Sequence, residues 1–381
     1  MARRTGPGPF IRDCVMRPVI VVTHLLGTGH LARAMTLART FADAGHSPVV
    51  ISGGVPAPHL MDATIKHVQL PAVRSNGVDF SKVLTPDNQV ADADYLANRA
   101  TQLLKAIDEL QPDVLITELF PFGRRILRDE FEALLEHVQN RTPVFASIRD
   151  ILAPPSSQKK ADYADRMISQ YYQGVLVHGD PEIAPLGLSW PVTDQLAPML
   201  RYTGFVAPRA PGAASGTRAG ILVSTGGGNV GDSVFEAALR AARTIPDHTW
   251  RFLVGGSPER VARFATLAPD HVFVEGLRDD FRTILAQSAV SISLAGYNTT
   301  LDLLQTGTPG VLVPFDEGNE VEQGLRAQAL SNRSNIEVCT SDQLENLSVY
   351  VHRALVAGPQ PPRTKNMDGA AETVRIVANA L

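Results

Sequence analysis

The sequence predicts an α/β protein built from two doubly wound domains that face a central cleft. Three observations carry that expectation. Short runs rich in valine and isoleucine recur along the 381 residues and alternate with amphipathic stretches, as the strands of a covered parallel sheet do. They come in two series, separated by a segment rich in proline, glycine and alanine that reads as a linker. The glycine-rich and polar motifs fall directly after these runs, at the carboxyl ends of the strands, where open α/β sheets bind ligands.

The first series occupies 17–206. Its strand candidates are PVIVVT (18–23), PVVIS (48–52), DVLIT (113–117), VFASI (144–148) and GVLVH (174–178), with helical spacing over 31–44, 95–110 and 122–138. Residues 207–219 form the linker. The second series, 220–360, holds ILVST (221–225), RFLVG (251–255), VFVEG (272–276), VSISL (290–294) and GVLVP (310–314). A tail, 361–381, passes through PQPPR into a helical GAAETVRIVANAL and is expected to pack back on the first domain.

Bulk properties narrow the function. Hydrophobic content of 44% with 19% charged residues is that of a globular protein of two ordinary domains. A net charge of −4 gives no reason to expect nucleic acid. No apolar run approaches the roughly 18–20 residues that cross a bilayer, and no amphipathic patch suggests peripheral membrane contact. The first fifteen residues lack the apolar core of a secretory signal, and Met16 is a candidate natural start. Cys14 and Cys339 match no metal spacing, so a reducing cytoplasm is the expected location.

In the stretch after the first strand, HLLGTGHLAR (24–33), Gly27 and Gly29 permit a sharp turn and His30 opens the first helix. Its imidazole suits proton abstraction near neutral pH, with Arg33 one turn on. The bland alternative is a helix-capping histidine that only packs. In the second domain, VSTGGGNVGD (223–232) ends a strand in glycines before a helix, which leaves backbone N–H groups free to cradle an anion through Ser224, Thr225, Gly226, Gly227, Gly228 and Asn229. LAGYNTTLD (294–302) places Gly296, Tyr297, Asn298 and Thr299 at a helix start, although Asn298 equally suits a cap. In the acidic loop DEGNEVEQ (316–323), Asn319 and Gln323 fit as readers of ligand hydroxyls because an amide both donates and accepts. Glu322 is counted with them, although carboxylates here are ordinarily solvated.

Together these motifs resemble GT-B glycosyltransferases, especially family 28, over nearly the whole chain from about Arg17. The resemblance implies two Rossmann-like domains, with the acceptor on the first and a nucleotide-sugar on the second. It gives the 224–229 loop the diphosphate, and Leu277 and Arg278 of EGLRDDF (275–281) the base. It gives Asp302, where the family usually has glutamate, the ribose hydroxyls, and Gln323 the sugar. It makes His30 the base of an inverting, metal-independent transfer from a nucleotide-diphosphate sugar, with UDP the first expectation, to a small-molecule hydroxyl. Glu118 or its rival Asp150 would orient His30. Arg124, Arg125 and Arg149 suit an anionic acceptor such as a phosphate, or pair with Asp129, Glu130 and Asp150 as plain surface arginines. Closure about the linker would exclude water. No metal or further cofactor is expected, and a dimer is possible. Hydrolysis of the nucleotide-sugar and non-catalytic nucleotide-sugar binding are the alternatives.

Overall fold

The computed structural model describes residues 15–75, 82–212, 216–316, 321–333 and 335–381. The first half contains β1 (Pro18–Val22), α1 (Gly29–Asp43), β2 (Val49–Ser52), β3 (Lys66–Gln69), α2 (Ala93–Leu110), β4 (Val114–Glu118), α3 (Arg128–Val138), β5 (Val144–Arg149), α4 (Gln158–Tyr171), β6 (Gly174–His178) and β7 (Leu200–Tyr202). The second contains β8 (Ile221–Ser224), α5 (Asp232–Thr244), β9 (Trp250–Leu253), α6 (Pro258–Leu267), β10 (Val272–Glu275), α7 (Phe281–Gln287), β11 (Val290–Leu294), α8 (Tyr297–Thr306), β12 (Gly310–Val313), α9 (Glu322–Leu330) and β13 (Ile336–Val338). Helices α10 (Leu347–Ala357) and α11 (Gly369–Asn379) complete the chain.

Each half is one parallel sheet, in the orders β3-β2-β1-β4-β5-β6-β7 and β10-β9-β8-β11-β12-β13. The winding reverses between β1 and β4, whose register pairs Ile20 with Ile116, and between β8 and β11, where Ile292 meets Val223. Such a reversal leaves a crevice at the carboxyl ends of the strands, because the helices on either side diverge there. The central strands are rich in valine and isoleucine and buried on both faces. One face of the first sheet packs α2, α3 and α4 through Leu103, Phe131, Leu135 and Met167. The other packs α1 through Leu31 and Met35, and α11 joins it through Ala370 and Val377.

Three strands escaped the sequence pattern. β3, KHVQ, is a polar edge strand, and β7 and β13 span three residues each. The helix expected over 122–138 begins later, as a short 3-10 turn at Arg125–Leu127 that runs into α3. Left-handed backbone at Leu119 (φ 71°) and Arg124 (φ 58°) turns the chain back on itself before helix can form.

The two halves are joined by paired crossings. Residues 204–206 run antiparallel to 366–369, with Phe205 N donating to Asn366 O at 2.8 Å and Gly369 N to Phe205 O at 3.0 Å. A Cβ on Gly369 would stand 2.4 Å from Gly204 O, so the crossing requires glycine there. Arg326 of α9 reaches across to Asp150 after β5, with both nitrogens donating, Nη2 to Oδ1 at 2.8 Å and Nε to Oδ2 at 3.0 Å. Both side chains are buried. Truncating one partner strands the other charge, so Arg326→Met is expected to destabilise the protein by about 3–5 kcal/mol, and Arg326→Met with Asp150→Leu to recover most of that loss. Chemical denaturation of the two variants beside wild type measures both.

Candidate functional site

The first switch point brings together the end of β4 and the start of α1. Glu118 is 1% exposed, and its Oε1 lies 2.8 Å from His30 Nδ1. Arg33, one turn further along α1, donates to the same oxygen. Oε2 accepts from Ser147 Oγ at 2.6 Å, and that hydroxyl lies 2.9 Å from His178 Nε2. His178 Nδ1 in turn lies 2.9 Å from Thr203 Oγ1, at the edge of the interdomain crossing.

Burial alone would raise the Glu118 carboxyl, but the Arg33 guanidinium and the hydrogen bonds from His30 and Ser147 hold it well below its ordinary range. An ionised carboxylate only accepts, so the proton of neutral His30 sits on Nδ1 and Nε2 carries the lone pair. Burial lowers His30 to about 3, against the hydrogen bond to Glu118 that raises it and the positive charge of Arg124 that lowers it further. His178 is lowered to about 3 by burial, with Arg33 adding to the effect. Both rings are neutral at pH 7. Asp150 does not hold His30: Arg326 occupies it, and its Oδ1 also accepts from Ile151 N at 2.8 Å.

Across the cleft, β8 ends in the glycine loop. Ser224 and Thr225 are buried, and residues 226–229 are exposed. Thr225 Oγ1 donates to Val230 O at 2.8 Å. Arg260 of α6 donates to the carbonyls of Gly228 (3.2 Å), Val230 (2.8 Å) and Gly255 (2.6 Å), and is fixed to Asp232 at 2.7 Å. Its guanidinium collects carbonyls behind the loop. Gly255 must be glycine, since a Cβ there would stand 2.3 Å from Gly226 O. Exposed Leu277 lies against Gly227. Arg278 is engaged by Asp280 at 2.7 Å and 2.9 Å, and by Glu275.

Several expected contacts have other partners. Tyr297 is buried rather than open to the cleft: its hydroxyl donates to His178 O at 2.9 Å and accepts from Val206 N at 3.2 Å. Arg33 and Arg326 lie over its ring at 5.6 and 5.8 Å. Glu322 is buried and paired with Arg149 of the first half. Asn298 is exposed at the start of α8 and supplies no cap. Half-exposed Gly296 and Thr299 flank it. Asp302 is nearly buried, and Arg282 Nε donates to its Oδ1 at 2.6 Å. Burial raises the Asp302 carboxyl, against the opposing charge of Arg282. Gln323 Oε1 accepts from Phe315 N at 3.2 Å. Asn319, with Glu317 and Glu320, lies outside the described residues, as does Cys14. Gly27 and Gly29 form the exposed turn before His30.

Ser147, His178, Arg260, Arg282 and Arg326 were not anticipated. A serine inside the apolar VFASI run was a readable signal; the others needed tertiary placement. The glutamate and aspartate partners foreseen for Arg124 are taken: Arg99 holds Glu130 and Arg326 holds Asp150. Arg124 instead donates to Thr23 O at 2.5 Å, and burial lowers it to about 10.

The depressed histidines fix a sign. A folded-state pKa near 3 against 6.5 means that unfolding takes up protons between those values, so stability falls as pH drops through that window. Each ring contributes a slope of about 1.4 kcal/mol per pH unit there. Denaturation from pH 7 to 4 is expected to show a slope that flattens in a His30→Gln, His178→Gln variant.

Residues 260–378 match the model of the glycosyltransferase family 28 C-terminal domain. MurG of Acinetobacter baumannii has a similar structure, with a TM-score of 0.62 at 14% identity over 95% of this chain and 99% of that one. UGT2 of Phytolacca americana, complexed with UDP-2fluoro-glucose and pterostilbene, gives 0.61 at 13% over 95% and 99%. CalG4, the calicheamicin glycosyltransferase, gives 0.58 at 16% over 96% and 94%. No curated protein matches the chain in sequence. At such identities the structural likeness speaks for the fold, while the domain match speaks for the family. Residues 260–378 thus match a glycosyltransferase family 28 C-terminal domain, in a chain whose two-domain fold is like that of these glycosyltransferases.

Proposed function

We propose that the protein transfers a sugar, with inversion, from a nucleotide-diphosphate sugar to a hydroxyl of a small-molecule acceptor, without a metal. The observation that carries this reading is the His30–Glu118 pair at the first switch point. Its neutral imidazole turns a free Nε2 away from the carboxylate, and its neighbour Arg33 lies against Tyr297 at the start of α8 in the other half. Nε2 takes the acceptor's hydroxyl proton as the oxygen attacks the anomeric carbon, and Glu118 stabilises the imidazolium as it forms. The bond to the diphosphate breaks on the opposite face of the sugar, and the N–H groups of 226–229 receive the leaving charge. The negative charge of a bound donor also raises His30 from its low unliganded value toward neutrality, where a base works better.

Binding of the nucleotide rests on the glycine loop, with Leu277 beside it as an apolar cap for the base. UDP is the first expectation, from the family likeness and from the UDP-sugar held by the UGT2 structure. Asp302 can serve the ribose by sharing its carboxylate with Arg282 or by exchanging that partner for the hydroxyls.

A thermal-shift panel of UDP, dTDP, GDP, CDP and ADP tests the donor site, since a ligand of the folded state raises the melting temperature. One nucleotide is expected to stabilise wild type, and Asp302→Ala to lose most of that shift. With that nucleotide's sugars, His30→Ala is expected to lower turnover by about 10²–10⁴ while the nucleotide shift persists. No shift with any nucleotide overturns the reading. Donor breakdown without an acceptor, at the full rate, assigns hydrolysis instead.

A further inference from the structure

We propose that His178 is a positioning residue for the His30–Glu118 pair, acting through Ser147 as the middle of a one-way chain of hydrogen bonds that runs from Thr203 to the carboxylate. For its effect on turnover the inference rests on the transferase reading; its structural part rests on the geometry of the pair alone.

The chain lies across the rim of the first sheet. Glu118 ends β4, Ser147 pairs with it on β5, His178 ends β6 and Thr203 follows β7. These strands are neighbours, so each gives one polar side chain at its carboxyl end. All four residues are buried, and Ser147 and His178 are 0% exposed. A serine beside a histidine suggests a nucleophile and its base, but no substrate atom reaches this one. Its hydroxyl is turned to the carboxylate instead.

Proton counting gives the chain its direction. Ionised Glu118 only accepts, so the single hydroxyl proton of Ser147 is spent on Oε2 at 2.6 Å. The 2.9 Å contact between Ser147 Oγ and His178 Nε2 must then take its proton from the ring. Burial lowers His178 to about 3, so the ring is neutral, carries one proton, and leaves only a lone pair on Nδ1. Thr203 Oγ1, 2.9 Å from Nδ1, therefore donates. The carbonyls of Gly204 and Val177 lie 2.8 and 3.4 Å from the same hydroxyl and compete for its proton. A full negative charge at the far end decides for Nδ1, because hydrogen bonds aligned head to tail polarise one another.

The consequence falls on His30. A glutamate carboxylate turns easily about its last bond. Ser147 fixes Oε2, which leaves Oε1 on His30 Nδ1 and Arg33. A serine hydroxyl is itself a free rotor; the Nε2–H of His178 fills one of its lone pairs and leaves its proton aimed at Oε2. His178 thus touches no reacting atom, yet it holds the orientation on which the free Nε2 of His30 depends.

The test is nuclear magnetic resonance of the full chain with 15N-labelled histidine at pH 7. His30 is expected to carry its proton on Nδ1 and His178 on Nε2. Ser147→Ala removes the acceptor of Nε2–H, so His178 is expected to change to the Nδ1–H form as Thr203 returns to the Gly204 carbonyl. In His178→Leu the Nδ1 proton of His30 is expected to exchange with water at least about tenfold faster, the worth of one hydrogen bond to a charged group. His178→Gln, whose amide N–H can replace Nε2–H, should restore slow exchange. Melting temperatures show that the variants fold; should His178→Leu not, Ser147→Ala carries the exchange measurement. Release of UDP from UDP-glucose is the kinetic arm: His178→Leu is expected to lower kcat about tenfold with KM within about twofold, and His178→Gln to recover most of the loss. His178 protonated on Nδ1 in wild type, a ring that ignores Ser147→Ala, or His30 exchange indifferent to His178→Leu each overturn the proposal. So does a loss that His178→Gln fails to repair. Failure of the transferase reading appears separately, as the absence of any nucleotide shift, and the histidine signals then decide alone.

Discussion

One buried negative charge organises the centre of this molecule. Glu118 ends β4 inside the first switch point, where a lone carboxylate could not remain ionised. Arg33, His30 and Ser147 supply the charge and hydrogen bonds that keep it so. In return the carboxylate fixes the tautomer of His30, neutralises an otherwise buried arginine, and positions Ser147 toward His178. Substituting Glu118 would therefore disturb three elements at once: the start of α1, the end of β5 and the end of β6.

The same network reaches the joint between the halves. His178 ends β6; its side chain meets Thr203 and its carbonyl accepts from Tyr297 of α8. Tyr297 sits between Arg33 of the first half and Arg326 of the second. Tyr297 is thus a contact through which the second half meets Arg33, the neighbour of the dyad. Any hinge motion about the crossings has to carry Tyr297, Arg326–Asp150 and Arg149–Glu322 with it, or exchange their partners.

The architecture was legible because parallel strands buried on both faces leave unmistakable valine-rich runs, and because glycine turns follow them. β3, β7 and β13 were not, since an edge strand or a three-residue strand leaves no pattern. The placement of His30, Glu118 and the 224–229 loop could be read because each follows or ends one of those valine-rich runs. Partner choice could not. Whether Asp150 faces His30 or Arg326 depends on how the two halves meet, and 176 residues separate Asp150 from Arg326. Glu322 looked like a solvated member of an acidic loop until the fold set Arg149 beside it.

The distribution of cations follows from the same geometry. In the second half the arginines are spent on structure: Arg260 gathers carbonyls behind the glycine loop, and Arg282 holds Asp302. The glycine loop itself keeps exposed residues 226–229 with no arginine side chain donating into their open side among the described residues. In the first half Arg33 is committed to Glu118 and Arg149 to Glu322, yet Arg124 lies beside the dyad with no ion-pair partner among the described residues. Holding a half-buried guanidinium on a backbone carbonyl alone costs stability, and burial draws it down to about 10.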